Sequence, residues 1–252
     1  MDNPQQIAEL FNTFYINLNL EQGNISEKFQ EEKTTLSFSN LNSFYLSPVT
    51  IEEISKIIGS LKTSNSHGCD ELSSKLVKIC TDELSFPISY LINMSFKNGE
   101  FPNELKQAIV KPIYKNGCHK DRSNYRPISI LSTISKIFEK AMASRLNSFF
   151  ERYKILSPAQ YGFRENMSTT NAIYNFITKA VNSTDNKDHT LAISLDIKKA
   201  FDMVCHKKLL NKLENYGIRS NALNWFQSYL KNRSQLVEIP FINESKFVKH
   251  KQ

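Results

Sequence analysis

The chain has 252 residues, 40% hydrophobic and 23% charged, with 17 Phe and 10 Tyr, which suits one large or two small globular domains and excludes a disordered chain. Seven Gly and eight Pro exclude a fibrous protein, no run approaches the roughly 20 apolar residues of a membrane helix, and the opening MDNPQQIAEL lacks the basic and apolar regions of a secretory signal. Residues 1–100 carry 7 basic and 13 acidic side chains, a net of −6, whereas residues 101–252 carry 25 and 12, a net of +13, which points to a polyanionic partner or to a solvated basic surface.

The segment NPQQIAELFNTFYINL predicts a helix capped by Asn3 with Pro4 in its first turn and Ile7, Leu10, Phe11, Phe14 and Leu18 on one face. Residues 20–48 are polar and aperiodic, the pattern of a linker. Thr50 and Glu53 form a capping box before Ile54, Ile57, Ile58 and Leu61. TSNSHGCD (63–70) predicts a loop with Gly68 as its turn residue, and 71–99 a helical stretch interrupted before Pro87. AIVKPIYK (108–115) predicts an edge strand because it contains Pro112; a polar turn and a short extended ISIL follow. A long helix is predicted from Ser132 to Tyr153, buried through Ile134, Phe138, Met142, Leu146 and Phe149. Another starts near Ser168 or Thr169, burying Ala172, Ile173, Phe176, Ile177 and Ala180, before a loop at 182–189. LAISLD (191–196) has the pattern of a buried strand. Helices follow at His206–Tyr216, closed by Gly217, and from a Ser220 cap to Leu230; QLVEI and SKFVKH complete the chain as two strands. Helices with separated strands indicate an α+β fold, without internal repeats. Cys69, Cys80, Cys118 and Cys205 contain no CxxC pair, so free thiols are expected.

Three clusters could carry chemistry. LAISLDIKKAFD delivers Asp196 at a strand end, where Mg²⁺ is a natural partner for a carboxylate; Phe201 could wall the site, and Asp202 could be a second ligand. Equally, Asp196 could cap the following turn. IVKPIYKNGCHKDRSNYRPIS is a basic hairpin in which Lys111, Lys115 and Arg126 could converge on phosphates while Tyr114 and Tyr125 stack on bases or sugars, or whose lysines could simply guard an exposed sheet edge. SPAQYGFRENMSTTNAI places Gly162 where backbone could approach a ligand and Arg164 just before a helix N-terminus, or forms an ordinary capped loop.

Together these runs, with LSTISKIFEK, LENYGI and WFQSYLKNRSQLVEI in the same order, resemble the reverse transcriptase of non-LTR retrotransposons of the jockey-like or RTE-like kind. IGSLKTSNSHGCDELSSKLVK resembles the block preceding the fingers in these elements, and FNTFY the end of their endonuclease–polymerase linker. The resemblance implies a right-hand polymerase fold: residues 1–48 as a helix-rich N-terminal extension and linker, 49–190 as the pre-fingers block and fingers, and 191–252 as an incomplete palm. It implies nucleotidyl transfer with Mg²⁺ (or Mn²⁺), an RNA template, a DNA primer and a dNTP, within an intracellular ribonucleoprotein of cytoplasm and nucleus and without a membrane. By the same resemblance Asp196 is catalytic, and Asp196 with the Ile197 carbonyl holds metal. Lys115, Arg126 and the steric gate Phe201 hold nucleotide; Gln160, Gly162, Arg164 and Lys111 contact nucleic acid; Asp202 has a less defined role.

The chain departs from that pattern. It contains no Asp-Asp pair and no Gly-x-Pro-Gln-Gly block, and it stops at SKFVKHKQ, about where those motifs would begin. The expectation is a polymerase fragment inactive alone. The competing expectations are a non-catalytic nucleic-acid-binding module and a fragment with too much uncovered surface to fold stably.

Overall fold

The computed structural model describes residues 3–28, 40–197, 200–201, 203–243 and 246–251. They divide into two units, Met1–Leu146 with Phe201–Gln252, and Asn147–Ala200.

In the larger unit, helix α1 (Pro4–Lys28) starts at Asn3, whose Oδ1 accepts the Gln5 N–H at 2.9 Å. It continues through residues 20–28, where a linker is expected, because that stretch has no proline and several good helix formers. Residues 40–50 have no regular structure. In α2 (Ile51–Ser60) the capping box forms: Thr50 Oγ1 accepts the Glu53 N–H at 3.1 Å and the Glu53 carboxylate returns to the Thr50 backbone. The same carboxylate takes both prongs of Arg145 at 2.6 and 2.9 Å, which holds its pKa below the ordinary range. Arg145 also donates to the carbonyls of Ser47 and Pro48, so one guanidinium ties the irregular segment to two helices.

The helical stretch breaks at Cys80, between α3 (Ser74–Ile79) and α4 (Thr81–Asn98), and not before Pro87. Pro87 is exposed, so water can satisfy the Glu83 carbonyl that its ring leaves without an N–H. Gly99, at φ 67°, ends α4. Helix α5 (Thr133–Arg152) buries Phe138, Met142 and Phe149 as expected, together with Ile137 and Ala141, while Ile134 and Leu146 are half-buried. Helix α7 (His206–Asn215) closes at Gly217, φ 101°. Helix α8 (Ser220–Leu230) is capped from Arg219; Ser220 itself sits at φ 51° and is not the cap expected.

One sheet forms, in the order β2-β1-β3-β4. Strand β1 (Gln107–Tyr114) pairs antiparallel with β2 (Tyr125–Leu131) and parallel with β3 (Ser234–Asn243), and β3 pairs antiparallel with β4 (Lys246–Lys251). The β3 pairing covers only Gln107–Val110, so β1 is central there and becomes an edge at Pro112. The expectation of an edge strand therefore holds for its second half alone. Helix α1 lies on this sheet through Ala8, Phe11 and Tyr15 against Val110, Val237 and Ile239. A second core gathers Trp225, Phe101 and Phe138 edge to face, with Trp225 Nε1 donating to Ser95 Oγ at 2.9 Å. Beside it, Glu139 accepts from Tyr229 Oη at 3.0 Å, and Arg233 lies 4.7 Å over the Tyr229 ring. Burial raises the Glu139 carboxyl above the usual carboxylate range, and burial with the nearby Glu139 pushes Tyr229 up to about 12.

The smaller unit contains α6 (Thr169–Asp185), which is capped by Ser168 and runs through residues 182–185, where a loop is expected. The face expected to be buried is not: α6 has no buried residue, and Ile173, Phe176 and Ile177 are more than half exposed. The buried strand expected at 191–196 does not form either. Residues 191–197 have no regular structure, and Leu191, Ile193 and Leu195 are 85%, 76% and 88% exposed. An apolar run becomes a strand only where another strand completes its ladder, and the four described strands lie elsewhere in the chain.

Two outcomes follow from this packing. Gly68 does not occupy a left-handed turn; its role is close approach, since a Cβ there would lie 2.6 Å from Ser132 N and 2.7 Å from Ser132 Cα. Both atoms are backbone, so Gly68→Ala is expected to lower stability by about 1–3 kcal/mol in chemical denaturation, and an unchanged midpoint would contradict it. For Glu139, a folded pKa above the unfolded one contributes stability that is present below the ordinary carboxylate pKa and is lost as pH rises through the raised value. Glu139→Gln keeps an acceptor for Tyr229 and removes the titration, so its stability should fall less than the parent's over that rise; an identical pH profile would refute the assignment.

Candidate nucleotide and nucleic-acid interface

The β1–β2 hairpin is built on an unusual opposition, Pro112 against Pro127. Neither has an N–H, so the pair belongs at a non-hydrogen-bonded position of the ladder. The pairs on either side then carry the ladder bonds, in step with the Lys115 N–H donating to Asn124 O at 2.8 Å. Strand alternation places Lys111, Ile113, Lys115, Arg126 and Ile128 on one face, and Val110, Pro112, Tyr114, Tyr125 and Pro127 on the other.

The three expected cations therefore share a face but differ in availability. Lys115 and Arg126 are exposed. Lys111 Nζ sits 3.0 Å from Glu238 Oε1, a carboxylate only 4% exposed on β3. Removing Lys111 would take a cation from beside that buried charge, so part of its role is structural. Glu238 is a residue the sequence reading missed; the signal was an acid inside the strand-like run QLVEI.

The tyrosines do not join the cations. Tyr114 stacks on His119 at 3.9 Å and donates from Oη to Gly117 O at 2.6 Å. Tyr125 donates to His119 O at 3.0 Å and meets Phe11 of α1 edge to face at 5.0 Å. Both rings shape the hairpin tip from the α1 side, which corrects the expectation that they stack on the ligand held by Lys115 and Arg126. Arg122 completes that attachment, 5.3 Å over the Phe14 ring.

In the smaller unit, Arg164 meets Glu151 with both prongs, at 2.8 and 2.9 Å, and donates to Ser157 O at 3.0 Å. The pair holds Glu151 below the ordinary carboxylate range. Arg164 thus fastens loop 157–164 to the end of α5. Gln160 is exposed and donates from Nε2 to Gly162 O at 3.2 Å. Gly162 makes no close backbone approach, as a Cβ there would meet nothing within 4 Å. Its neighbour Phe163 is the strained residue, at φ 58° and 90% exposed.

Asp196 and Ile197 are exposed on the irregular segment, and Phe201 is 78% exposed. Asp202 lies outside the described residues. Among the described residues no three His, Cys, Asp or Glu side chains gather to hold a metal ion. One solvated carboxylate with an adjacent carbonyl is too small a donor set for a pair of hard cations, so the residues described do not fit a two-metal centre.

A basic hairpin face, a fastened loop and an exposed aspartate thus follow one another along the chain. Residues 113–251 match the family described as reverse transcriptase (RNA-dependent DNA polymerase), and the chain belongs to that family, in its non-LTR retrotransposon branch. It is 31% identical over 68% of its length to the RNA-directed DNA polymerase from mobile element jockey of Drosophila melanogaster, and 29% identical over 85% of its length to the transposon BS protein of the same species. It is also 26% identical over 76% of its length to the Pol polyprotein of the type-1 retrotransposable element R2 of Popillia japonica. The chain spans 19%, 24% and 26% of those three proteins.

Proposed function

We propose that the chain is the fingers, with the opening part of the palm, of a right-hand RNA-directed DNA polymerase that uses an RNA template, a DNA primer and deoxynucleoside triphosphates. Residues 1–48 would precede the polymerase, 49–190 form the fingers side and 191–252 begin the palm. Lys115 and Arg126 would hold the incoming triphosphate, the lysine as a point charge and the arginine through its planar fork. Gln160 and Gly162 would border the template, with Arg164 keeping their loop in place, and Phe201 would pack against the sugar. Asp196 and the Ile197 carbonyl would contribute to a Mg²⁺ or Mn²⁺ site completed by other carboxylates. An intracellular ribonucleoprotein is the proposed setting; no described helix is long and apolar enough to cross a membrane.

The observation that supports this reading most directly is the sorting of the hairpin, with Lys115 and Arg126 exposed on the face opposite α1. The donor set limits what the chain does by itself. With Asp196 as one exposed carboxylate, the chain should bind RNA through its basic face without polymerising.

RNA binding measured against salt tests the first half. Lys115→Ala and Arg126→Ala should each weaken binding and lower the slope of log affinity against log salt by about 1; absence of binding at low salt would overturn the reading. Primer extension with Mg²⁺ or Mn²⁺ tests the second half. No templated synthesis is expected from the chain alone, and synthesis that Asp196→Ala abolishes would show that the metal site assembles after all.

A further inference from the structure

Helix α4 buries three serines and exposes several large apolar side chains. Ser85, Ser89 and Ser95 are buried beside Ile88, Ile92 and Phe96, while Phe86, Pro87, Tyr90, Leu91 and Met94 face solvent. The serines are satisfied within the chain: Ser85 and Ser89 donate to the carbonyls of Thr81 and Phe86 at 2.6 and 2.7 Å, and Ser95 accepts from Trp225. Among the described residues the outer side is left open, with Phe86, Tyr90, Leu91 and Met94 64%, 58%, 52% and 40% exposed. An apolar stripe over more than two turns is the mark of a docking face. Beside its C-terminal end opens a cavity of about 500 Å³ lined by apolar residues including Leu91, Met94, Ile134 and Phe138 and by polar ones including Asn98 and Glu100.

The ends of the stripe carry opposite charge, with Asp82 and Glu83 in the first turn and Lys97 in the last. This polarity selects the occupant. Phe86, Tyr90 and Met94 are spaced four residues apart, so the spacing of the stripe is symmetric about Tyr90. A second copy laid antiparallel on a twofold axis through Tyr90 sets Phe86 against Met94, Tyr90 against Tyr90 and Glu83 against Lys97, each of the unlike pairs occurring twice. The phenyl ring then arrives at the cavity that Leu91 and Met94 border and meets a thioether at its mouth. Parallel pairing would instead oppose Glu83 to Glu83. At the shallow crossing of about 20° common to packed helices, the charged ends stay within reach of each other. We propose that the outer face of α4 is a self-association surface through which two copies of this chain pair antiparallel about Tyr90. A twofold contact of this kind closes on itself and does not propagate.

Sedimentation equilibrium of the full chain over a concentration series tests this. The mass should rise from 29.1 kDa toward twice that value. Tyr90→Glu, at a position already facing water and therefore harmless to folding, should lower the association constant by at least about tenfold. Lys97→Glu should weaken association at low salt, and the double variant Glu83→Lys with Lys97→Glu should restore it. A mass fixed at one copy throughout, association untouched by Tyr90→Glu, or a double variant no better than Lys97→Glu would each overturn the proposal. Circular dichroism of every variant separates these outcomes from misfolding.

Discussion

Two prolines facing each other across a ladder admit few registers. A slip of one residue between β1 and β2 would bring a proline to a hydrogen-bonded position and send every side chain of the slipped strand to the opposite face. The opposition of Pro112 and Pro127 thus keeps Lys115 and Arg126 together, and keeps Tyr114 and Tyr125 on the side that α1 occupies. It also agrees with where β3 stops. The parallel pairing ends at Val110, two residues before a nitrogen that has no proton to donate, and beyond that point β1 pairs with β2 alone, with Lys115 and Arg126 exposed.

The basic charge of the chain is therefore not one pool. Lys111 neutralises the buried Glu238, and Arg164 spends its fork on Glu151 and a further N–H on a carbonyl. Arg145 does the same for Glu53 and residues 47–48. These are local, geometrically satisfied pairings that commit each cation to a neighbouring acid or carbonyl. Lys115 and Arg126, by contrast, project into water. A count of +13 over residues 101–252 could not separate the two kinds, because the separation depends on which acid the fold brings alongside.

Features set by neighbouring residues could be read from the sequence. The capping box of Thr50 and Glu53, the Asn3 start, the Gly217 stop and the two-strand ending all follow from short-range rules and appear as such. The family was readable too, because it lies in the order of motifs along the chain. What resisted was everything requiring a distant partner. The α4 pattern looked like a helix broken before Pro87, yet it passes through that proline on its wet side. The tyrosines of the hairpin looked like ligand-stacking rings until Phe11 and His119 took them. The role of Gly68 was invisible without the chain at Ser132, which approaches it from 64 residues away.

The segment carrying Asp196 shows why a strand pattern is a conditional statement. Leu191, Ile193, Leu195 and Ile197 alternate along one side, and all four are exposed. Burying four such side chains would contribute about 6–12 kcal/mol, while fixing seven backbone residues costs about 7–14 kcal/mol. The two nearly cancel, so the hydrogen bonds of a neighbouring strand decide whether residues 191–197 become a strand at all. A carboxylate on an unpaired segment also gives a cation no fixed position, since the ion would have to order the backbone as well as bind it. Strand pairing and metal binding are therefore linked in any chain that uses Asp196 for catalysis, each favouring the other.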